Sequence, residues 1–294
     1  MVVAHLAPMP ASELREWLAA GDGLPRADEV EGLDARVLVV DGVPVGGVLT
    51  GLDDVGGDGA PTSRRCAVRA LQTTLPDDAL EHWRAVVVAL EDHARAGGAD
   101  VVTTAVAPSL VPVFQALGYG TTVTSHRKRL DTPPQLQEDR RVAVRAMTDD
   151  ERAAFVDDVR GLLAAGMVRS GLGLAPGDLP VELEARVAAL GDQPPPDDEL
   201  LVTGTVDGVA VGRLWATLVE RDGARDFLGH VIELFPEHRG RRLTPSFVGA
   251  MARYVREIGV RDVHLRVYGH DAGARRTYVE AGVEVADVHL RKDL

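Results

Sequence analysis

The chain has 294 residues, enough for two domains of about 150 residues each, and 45% of its residues are hydrophobic and 26% charged, as in a globular protein. Its formal net charge of -13 argues against nucleic-acid binding, and its single cysteine, Cys66, excludes an intramolecular disulfide. The N-terminus lacks a secretory pattern and no apolar run approaches the ~20 residues that span a bilayer, so we expect a cytoplasmic protein without a membrane partner.

The first half of the chain carries a segment that recurs in the second half. In Val40–Gly46, β-branched residues flank an Asp-Gly pair, a pattern typical of a β-hairpin. The same pattern returns at Val206–Gly212 with one substitution. Near the end of each half, Phe114–Gly118 parallels Tyr278–Gly282 at nearly the same offset. We interpret the chain as two copies of one α/β unit.

The boundary between the copies is predicted at residues 132–140. This stretch is polar and contains two prolines, and no hydrophobic periodicity crosses it. The expected organisation is therefore a first domain at 1–131, a linker at 132–140 and a second domain at 141–294.

The second copy gives the clearer pattern of strands and helices. Acidic residues from Asp149 favour a helix start, and Thr244 with Pro245 predicts a capped start for a later helix. Phe247, Met251, Val255 and Ile258 recur at helical spacing and predict the buried face of that later helix. The predicted order is β-α-α-β-β-β-α-β-α-β, with elements near 141–146, 149, 181–190, 199–220, 227–234, 244–258, 262–267, 271 and 283–290.

Two polar segments of the second copy carry the chemistry. The segment Phe235–Pro245 is a polar turn between an apolar strand and an amphipathic helix, where main-chain N–H groups and the helix dipole can hold a phosphate. The segment Gly269–Tyr278 brings a phenol to a nearby helix that Asp271 is expected to cap.

These two motifs, in this order, resemble those of the GNAT superfamily of acetyl-CoA-dependent N-acetyltransferases. The pyrophosphate signature of that family maps onto Arg239–Thr244, with Arg242 and Thr244 where the family has glycine. Its second signature maps onto Asp271, Ala274 and Tyr278, with Asp271 in place of asparagine. The resemblance covers about 141–294 well and reaches 1–130 only through the internal repeat.

The resemblance implies an α/β (α+β mixed sheet) fold with two tandem GNAT-like domains, each a mixed central sheet flanked by helices. It also implies acetyl-CoA (coenzyme A) as the cofactor. The alternative for the arginine-rich turn is a basic surface loop. The residues expected to bind the cofactor are Ile232, Leu234, Arg239, Gly240, Arg241, Arg242, Leu243, Thr244, Asp271 and Ala274.

Three residues are candidates for proton transfer. An amine substrate is mostly protonated near pH 7, so a base must remove a proton, and Glu233 is preferred to His230 for this role. An exposed strand position is the alternative for Glu233. Tyr278 is expected to protonate the coenzyme A thiolate, and the alternative is a core aromatic. His264 and His270 are expected to be structural, and no residues show metal-ligand spacing.

The first copy is expected to be structural or to shape the substrate cleft. Its counterpart of the phosphate turn, Thr74–His82, has no glycine and carries acidic residues that would repel a pyrophosphate. Phe114 stands where the second copy has Tyr278, and it lacks a hydroxyl.

The sequence thus predicts transfer of an acetyl group to a primary amine by direct attack on the thioester. A non-catalytic acyl-CoA-binding or protein-interaction protein is the main alternative, and an aminoacyl transferase that uses charged tRNA is a third. The expected acceptor is a small-molecule or peptide amine whose identity stays open. The protein is expected to be a monomer, with the two copies as a pseudo-dimer, or a homodimer.

Overall fold

The computed structural model describes residues 2–20, 30–55, 63–131, 141–172, 179–192, 194–221, 223–241 and 243–294. The predicted linker 132–140 and the predicted phosphate ligand Arg242 lie outside these residues.

Within its described residues, the first copy contains six strands and three α-helices. Its strands are β1 (Ala4–Pro8), β2 (Asp34–Val40), β3 (Val43–Val55), β4 (Ser63–Thr73), β5 (Val101–Val106) and β6 (Gly120–Arg129). Its helices are α1 (Ala11–Ala20), α2 (Leu80–Ala96) and α3 (Val111–Ala116).

In the part of the second copy that the structure describes there are six strands and four α-helices, in the order that the sequence predicts. Its strands are β7 (Val142–Ala146), β8 (Glu199–Val206), β9 (Val209–Arg221), β10 (Ala224–Leu234), β11 (Val260–Tyr268) and β12 (Glu284–Asp293). Its helices are α4 (Asp149–Arg169), α5 (Val181–Ala189), α6 (Thr244–Glu257) and α7 (Ala272–Glu280). The predicted α/β fold with a mixed sheet and flanking helices is confirmed.

The two repeated hairpins form the same turn. In the first, Asp41 and Gly42 have φ values of 49° and 79°, and in the second Asp207 and Gly208 have 49° and 84°. Positive φ at both central residues is the geometry of a two-residue hairpin turn that matches strand twist. The Asp-Gly pairs therefore form the turns that their sequence predicts.

The chain divides into two compact units. The units match the two copies except near the C-terminal end of each copy. One unit comprises Met1–Thr122, Gly171–Ala175 and Asp287–Leu294, and the other comprises Val123–Ser170 and Pro176–Ala286. Each copy therefore contributes most of its last strand to the unit built by the other copy. The sequence-based division at residues 132–140 stays a prediction about the repeat.

Each unit has a mixed sheet with one parallel pair. In the first unit, β1 to β4 pair antiparallel in sequence order, β4 and β5 are parallel, and β12 is antiparallel to β5. In the second unit, β7 to β10 pair antiparallel in sequence order, β10 and β11 are parallel, and β6 is antiparallel to β11.

The two lysines of the chain occupy corresponding positions on β6 and β12, the last strands that the two copies exchange (the exchanged strands). Lys292 on β12 places its Nζ 2.7 Å from Oε1 of the buried Glu91. Lys128 on β6 donates from Nζ to the main-chain oxygen of Ala281 at 2.7 Å. A hydrogen bond to a buried or charged partner contributes more than one on the surface, so both lysines help to hold the exchanged strands.

In the second unit, helices cover both faces of the sheet. On one face Phe155 and Leu163 of α4 and Val187 of α5 pack with Trp215 and Val231. On the other face α6 and α7 pack on the strands through Phe247, Met251, Val255 and Tyr278, which confirms the predicted buried face of α6 as far as Val255. Ile258 follows the end of the helix.

Candidate functional site

The parallel strands β10 and β11 separate before they end. The two strands are paired from Arg225 opposite Val260 to Gly229 opposite Leu265. Beyond this last pair, β10 continues to Leu234 and β11 to Tyr268 without pairing to each other. Beyond Gly229, β10 stays paired with β9 alone. Main-chain N–H and C=O groups on the open edge of β10 are therefore available to a ligand between the strands.

A β-bulge lies where the strands begin to separate. Gly229 pairs with Ala216 and Val231 pairs with Trp215, so His230 is the additional residue on β10. A bulge bends the strand and re-aims the following side chains. Strict alternation would send the side chains of His230 and Glu233 to opposite faces, and the bulge removes that restriction.

The separated strands border a cavity of about 550 Å³. A cavity of this size is in the range that binds small molecules and cofactors. Most of the site residues predicted from the sequence line it: His230, Ile232, Glu233, Leu234, Arg239, Gly240, Thr244, Asp271, Ala274 and Tyr278. Arg241 is exposed outside the lining, Leu243 packs against the core, and Arg242 lies outside the described residues.

Helix α6 begins at this cavity without a side-chain cap. Leu243 occupies the cap position and Thr244 is the first helical residue, so the prediction that Thr244 caps the helix was wrong. Thr148 and Asp271, by contrast, cap α4 and α7 with their side chains. The N-terminal end of α6, which carries the positive end of the helix dipole, therefore lies at the cavity and can bind an anion.

The turn before α6 contains a glycine that its backbone requires. Gly240 has a φ of 75°, a value that L-residues other than glycine rarely adopt. Arg239 folds back from this turn, and its Nε donates to the main-chain oxygen of Leu234 at 3.0 Å. The turn therefore brings the positive charge of Arg239 to the cavity, although one N–H group of this guanidinium already donates to Leu234.

Glu233 forms ion pairs with two arginines. Its Oε1 lies 2.8 Å from Arg213 Nε, and its Oε2 lies 3.4 Å from Arg239 Nη2. Arg213 also lies 5.0 Å above the ring of Phe155, which fixes the guanidinium against α4. The alternative of an isolated exposed strand position does not describe this carboxylate, whose side chain is 17% exposed.

His230 belongs to a polar chain that leads into the interior. Its Nε2 is 2.8 Å from Thr217 Oγ1, and the Thr217 hydroxyl donates to Glu199, whose side chain is 2% exposed. Burial, followed by the charges of Arg186 and Arg266, lowers the pKa of His230 to about 4. The imidazole is therefore neutral at neutral pH.

Tyr278 reaches the cavity from α7. The side chain is 7% exposed and packs edge-on to His126, with ring centroids 5.9 Å apart. Burial and then the charge of Asp271 raise the pKa of the phenol. The phenol therefore keeps its proton at neutral pH. Asp271 also accepts a hydrogen bond from the main-chain N–H of Ala274 at 2.8 Å, which confirms the predicted cap.

The cavity lining also contains charged and aromatic residues that were not predicted as functional. Arg169 ends α4, Arg266 and Tyr268 end β11, and His270 follows them. The sequence does place Arg266 and Tyr268 near the carboxyl end of a predicted strand, which is a usual position for binding residues in parallel sheets. His270 was expected to be structural, and this expectation stays a prediction.

Other kinds of site are not found in the described parts of the chain. There, no group of three or more histidine, cysteine, aspartate or glutamate side chains is arranged to hold a metal ion. None of the described helices has the length and apolar character needed to cross a membrane. Cys66 is buried, and burial is the main reason that its pKa rises to about 11, which disfavours a reactive thiolate.

The first copy has the same strand geometry with different side chains. The ladder between β4 and β5 ends at Ala67 and Thr103, and a register shift between Val68 and Ala70 leaves Arg69 as the counterpart of His230. The turn that follows carries Asp77 and Asp78 where the second copy has arginines.

Solved structures of GNAT proteins are similar to this chain at low identity. A GCN5-related N-acetyltransferase from Sphaerobacter thermophilus is 20% identical, over 99% of this chain and 95% of that one, with a TM-score of 0.48. A tandem GNAT protein from the clavulanic acid biosynthesis pathway is 17% identical, over 100% and 98%, with a TM-score of 0.45. A GCN5-related N-acetyltransferase from Kribbella flavida is 16% identical, over 83% and 84%, with a TM-score of 0.36.

No protein-family model and no curated protein sequence matches the chain. The structural similarities are too low to transfer a site or an activity from those proteins to this one.

Proposed function

We propose that this protein is an acetyl-CoA-dependent N-acetyltransferase whose reaction takes place in the second unit. One observation carries the proposal. The open edge of β10 runs along a cavity and leads through the Gly240 turn to the uncapped start of α6. This arrangement offers main-chain donors to an extended amide-containing ligand at one end and to a phosphate at the other.

The residues around the cavity fit acetyl-CoA. The positive end of the α6 dipole suits the pyrophosphate, and the guanidiniums of Arg239 and Arg241 add positive charge nearby. Gly240 keeps its backbone free of a side chain, and space around its Cβ position is open within 4 Å. The open edge of β10 at Ile232 and Leu234 suits the amides of the pantetheine arm. Bound acetyl-CoA would supply the activated acyl group.

Proton transfer falls to Glu233 and Tyr278 in this proposal. Glu233 Oε2 has only a long contact, 3.4 Å, to Arg239, so it retains capacity to accept a proton from the amine, directly or through water. The buried phenol of Tyr278 donates its proton to the departing sulfur. One N–C bond replaces one C–S bond, and both residues return to their starting protonation through solvent.

A second function, cofactor binding without turnover, is favoured by the state of the two base candidates. Both oxygens of Glu233 contact arginines, and His230 has a pKa of about 4, far below that of an amine. A site with these groups could hold an acyl-CoA and fail to deprotonate an acceptor.

A free-thiol assay with acetyl-CoA and a panel of primary amines distinguishes the two functions. The proposal predicts coenzyme A release that depends on the amine. Binding of acetyl-CoA by calorimetry, with no release for any amine, would support the second function. Absence of binding at millimolar acetyl-CoA would contradict both.

A further inference from the structure

One wall of the cavity carries two arginines and a tyrosine. Leu265 and Val267 of β11 belong to the core beneath α6 and α7. Arg266 and Tyr268 alternate with them and line the cavity on the side of α4, where Arg169 ends the helix. Three hydrogen-bond donors from two elements therefore meet on one side of the cavity.

Neither arginine is neutralised by a carboxylate. Among the described residues, the guanidinium of Arg266 has no ion pair or hydrogen bond, and that of Arg169 has one hydrogen bond, from Nε to His270 Nε2 at 3.3 Å. Arg213 and Arg239, by contrast, both pair with Glu233. Both arginines are exposed, and they place two positive charges on one wall of the cavity in a chain of net charge -13. Such a wall attracts an anion.

The surrounding contacts hold this wall in place. Gly166 of α4 lies against the ring of Tyr268, where a Cβ would come within 2.5 Å of a ring carbon. His270 stacks on the same ring with an interplanar angle of 11°. Since His270 Nε2 accepts from Arg169, its Nδ1 carries the hydrogen and donates to Ser170 Oγ at 3.0 Å. Arg169 is thus positioned by a neutral group that leaves its charge uncompensated.

The charges of Arg266 and Arg169 both act on the pKa of the Tyr268 phenol. Burial raises the pKa of its phenol to about 12, and Arg266 and Arg169 each act in the opposite direction. The two arginines are therefore close to the same phenol from different elements. The phenol keeps its proton at neutral pH and can donate a hydrogen bond.

From this placement we infer that Arg169, Arg266 and Tyr268 form a subsite for a carboxylate on the acceptor, so that the substrate is a primary amine that also carries a carboxylate. The inference rests on the proposed function. A plain ammonium ion would be repelled by two uncompensated guanidiniums, whereas a carboxylate neutralises them and accepts hydrogen bonds from the guanidinium forks. It would also orient the amine toward Glu233, which borders the same cavity.

The test uses amino acids paired with their carboxamides, which lack the negative charge. The variants are Arg266→Gln, Arg169→Gln, and Arg266→Lys, which keeps the charge. The matched control is Arg256→Gln, an exposed arginine of α6 outside the cavity lining. For each protein, kcat/KM is measured by thiol release and the acetyl-CoA Kd by calorimetry. A carboxamide has the less basic amine, so amine ionisation cannot produce a preference for the carboxylate.

We expect the wild type to prefer carboxylates by about tenfold or more, which corresponds to one charge-assisted hydrogen bond. Arg266→Gln and Arg169→Gln should each remove most of that preference with an unchanged acetyl-CoA Kd. Arg266→Lys should retain part of it, and Arg256→Gln all of it. Equal rates within each pair would overturn the inference. A rise in the acetyl-CoA Kd would also overturn it, since the arginines would then serve the cofactor.

The outcome also separates this inference from the proposed function. If acetyl-CoA binds and no amine releases coenzyme A, the proposed acetyl transfer is wrong. The subsite is then tested by binding of the acceptors alone, without a reaction. Saturation-transfer NMR with the same pairs, in the presence of coenzyme A, then decides. Contact by carboxylates that the two glutamine variants lose would support the subsite, and equal contact by carboxamides would contradict it.

Discussion

The two copies share one backbone plan and differ in the side chains placed on it. Both have an Asp-Gly hairpin, a bulged strand and a parallel pair that separates after a short ladder. The second copy follows its bulged strand with Gly240 and arginines, and the first with Asp77 and Asp78. The backbone geometry is therefore compatible with very different turns, and any binding depends on the charge and conformation of the turn.

The position of Glu233 gives the largest expected difference between the copies. Glu233→Gln should lower kcat/KM by about a hundredfold or more, because an amide cannot accept the amine proton. The acetyl-CoA Kd should stay close to wild type. The counterpart in the first copy is Gln72, which pairs with Gly47 as Glu233 pairs with Arg213.

Gln72→Ala provides the control and should leave the rate unchanged. Steady-state kinetics with free-thiol detection measures both variants. A rate that survives Glu233→Gln would remove this residue from the mechanism.

The bulge residue His230 makes the stability of the folded protein depend on pH. The pKa of His230 is lowered to about 4 in the folded protein, and the unfolded value is near 6.5. Between these values the unfolded chain binds a proton that the folded chain does not, so stability is lost as pH falls from 6.5 to 4. The upper limit of the effect is about 3 to 4 kcal/mol, from the lowering of the pKa by about 2.5.

His230→Gln should remove this part of the pH dependence, because glutamine does not titrate. Urea denaturation at several pH values gives the difference between wild type and variant. A difference that is constant from pH 4 to 6.5 would show that burial does not suppress protonation of His230.

Substitution of the two lysines compares how strongly each one stabilises its strand, β12 or β6. Lys292→Met should cost about 1 to 3 kcal/mol of unfolding free energy, because it leaves the buried Glu91 with Arg95 alone. Lys128→Met should cost about 1 kcal/mol, since it removes hydrogen bonds to main-chain oxygens.

Arg129→Met serves as the control, because its ion pair with Asp131 is exposed and should contribute less than about 1 kcal/mol. Urea denaturation measures all three variants. Equal effects of the three substitutions would argue that neither lysine holds its strand.

The aromatic residues at the repeated position give the smallest expected effect on rate. Tyr278→Phe should lower kcat by about tenfold, a modest value for the loss of one general acid, because water can also protonate a thiolate. The acetyl-CoA Kd should not change. Phe114→Leu in the first copy should affect stability and leave kcat unchanged. Stopped-flow or steady-state thiol detection distinguishes the two, and an unchanged kcat for Tyr278→Phe would assign the phenol to the core.

Local features of the fold could be predicted from the sequence because their causes are local. The Asp-Gly hairpins, the Asp271 cap and the buried face of α6 depend on neighbouring residues. The cap of α6 was predicted wrongly because a Thr-Pro pair is compatible with proline at either of the first two helical positions.

Features that depend on partners distant in sequence could not be predicted. The final strands of the two copies share little beyond Arg127-Lys128 and Arg291-Lys292, and neither carries a local pattern that shows which copy it pairs with. The uncompensated charges of Arg169 and Arg266 are equally invisible, because tertiary packing decides which arginine meets a carboxylate. The prediction that Glu233 is a base likewise omitted Arg213, which the β9–β10 pairing brings beside it.

The stoichiometry of acetyl-CoA binding tests the difference between the copies most directly. Isothermal titration calorimetry of the full chain should give one site per chain, and Arg239→Asp, which places an aspartate where the first copy has Asp78, should weaken that site. Two equivalent sites per chain, or no binding at millimolar acetyl-CoA, would contradict the assignment of cofactor binding to the second copy alone.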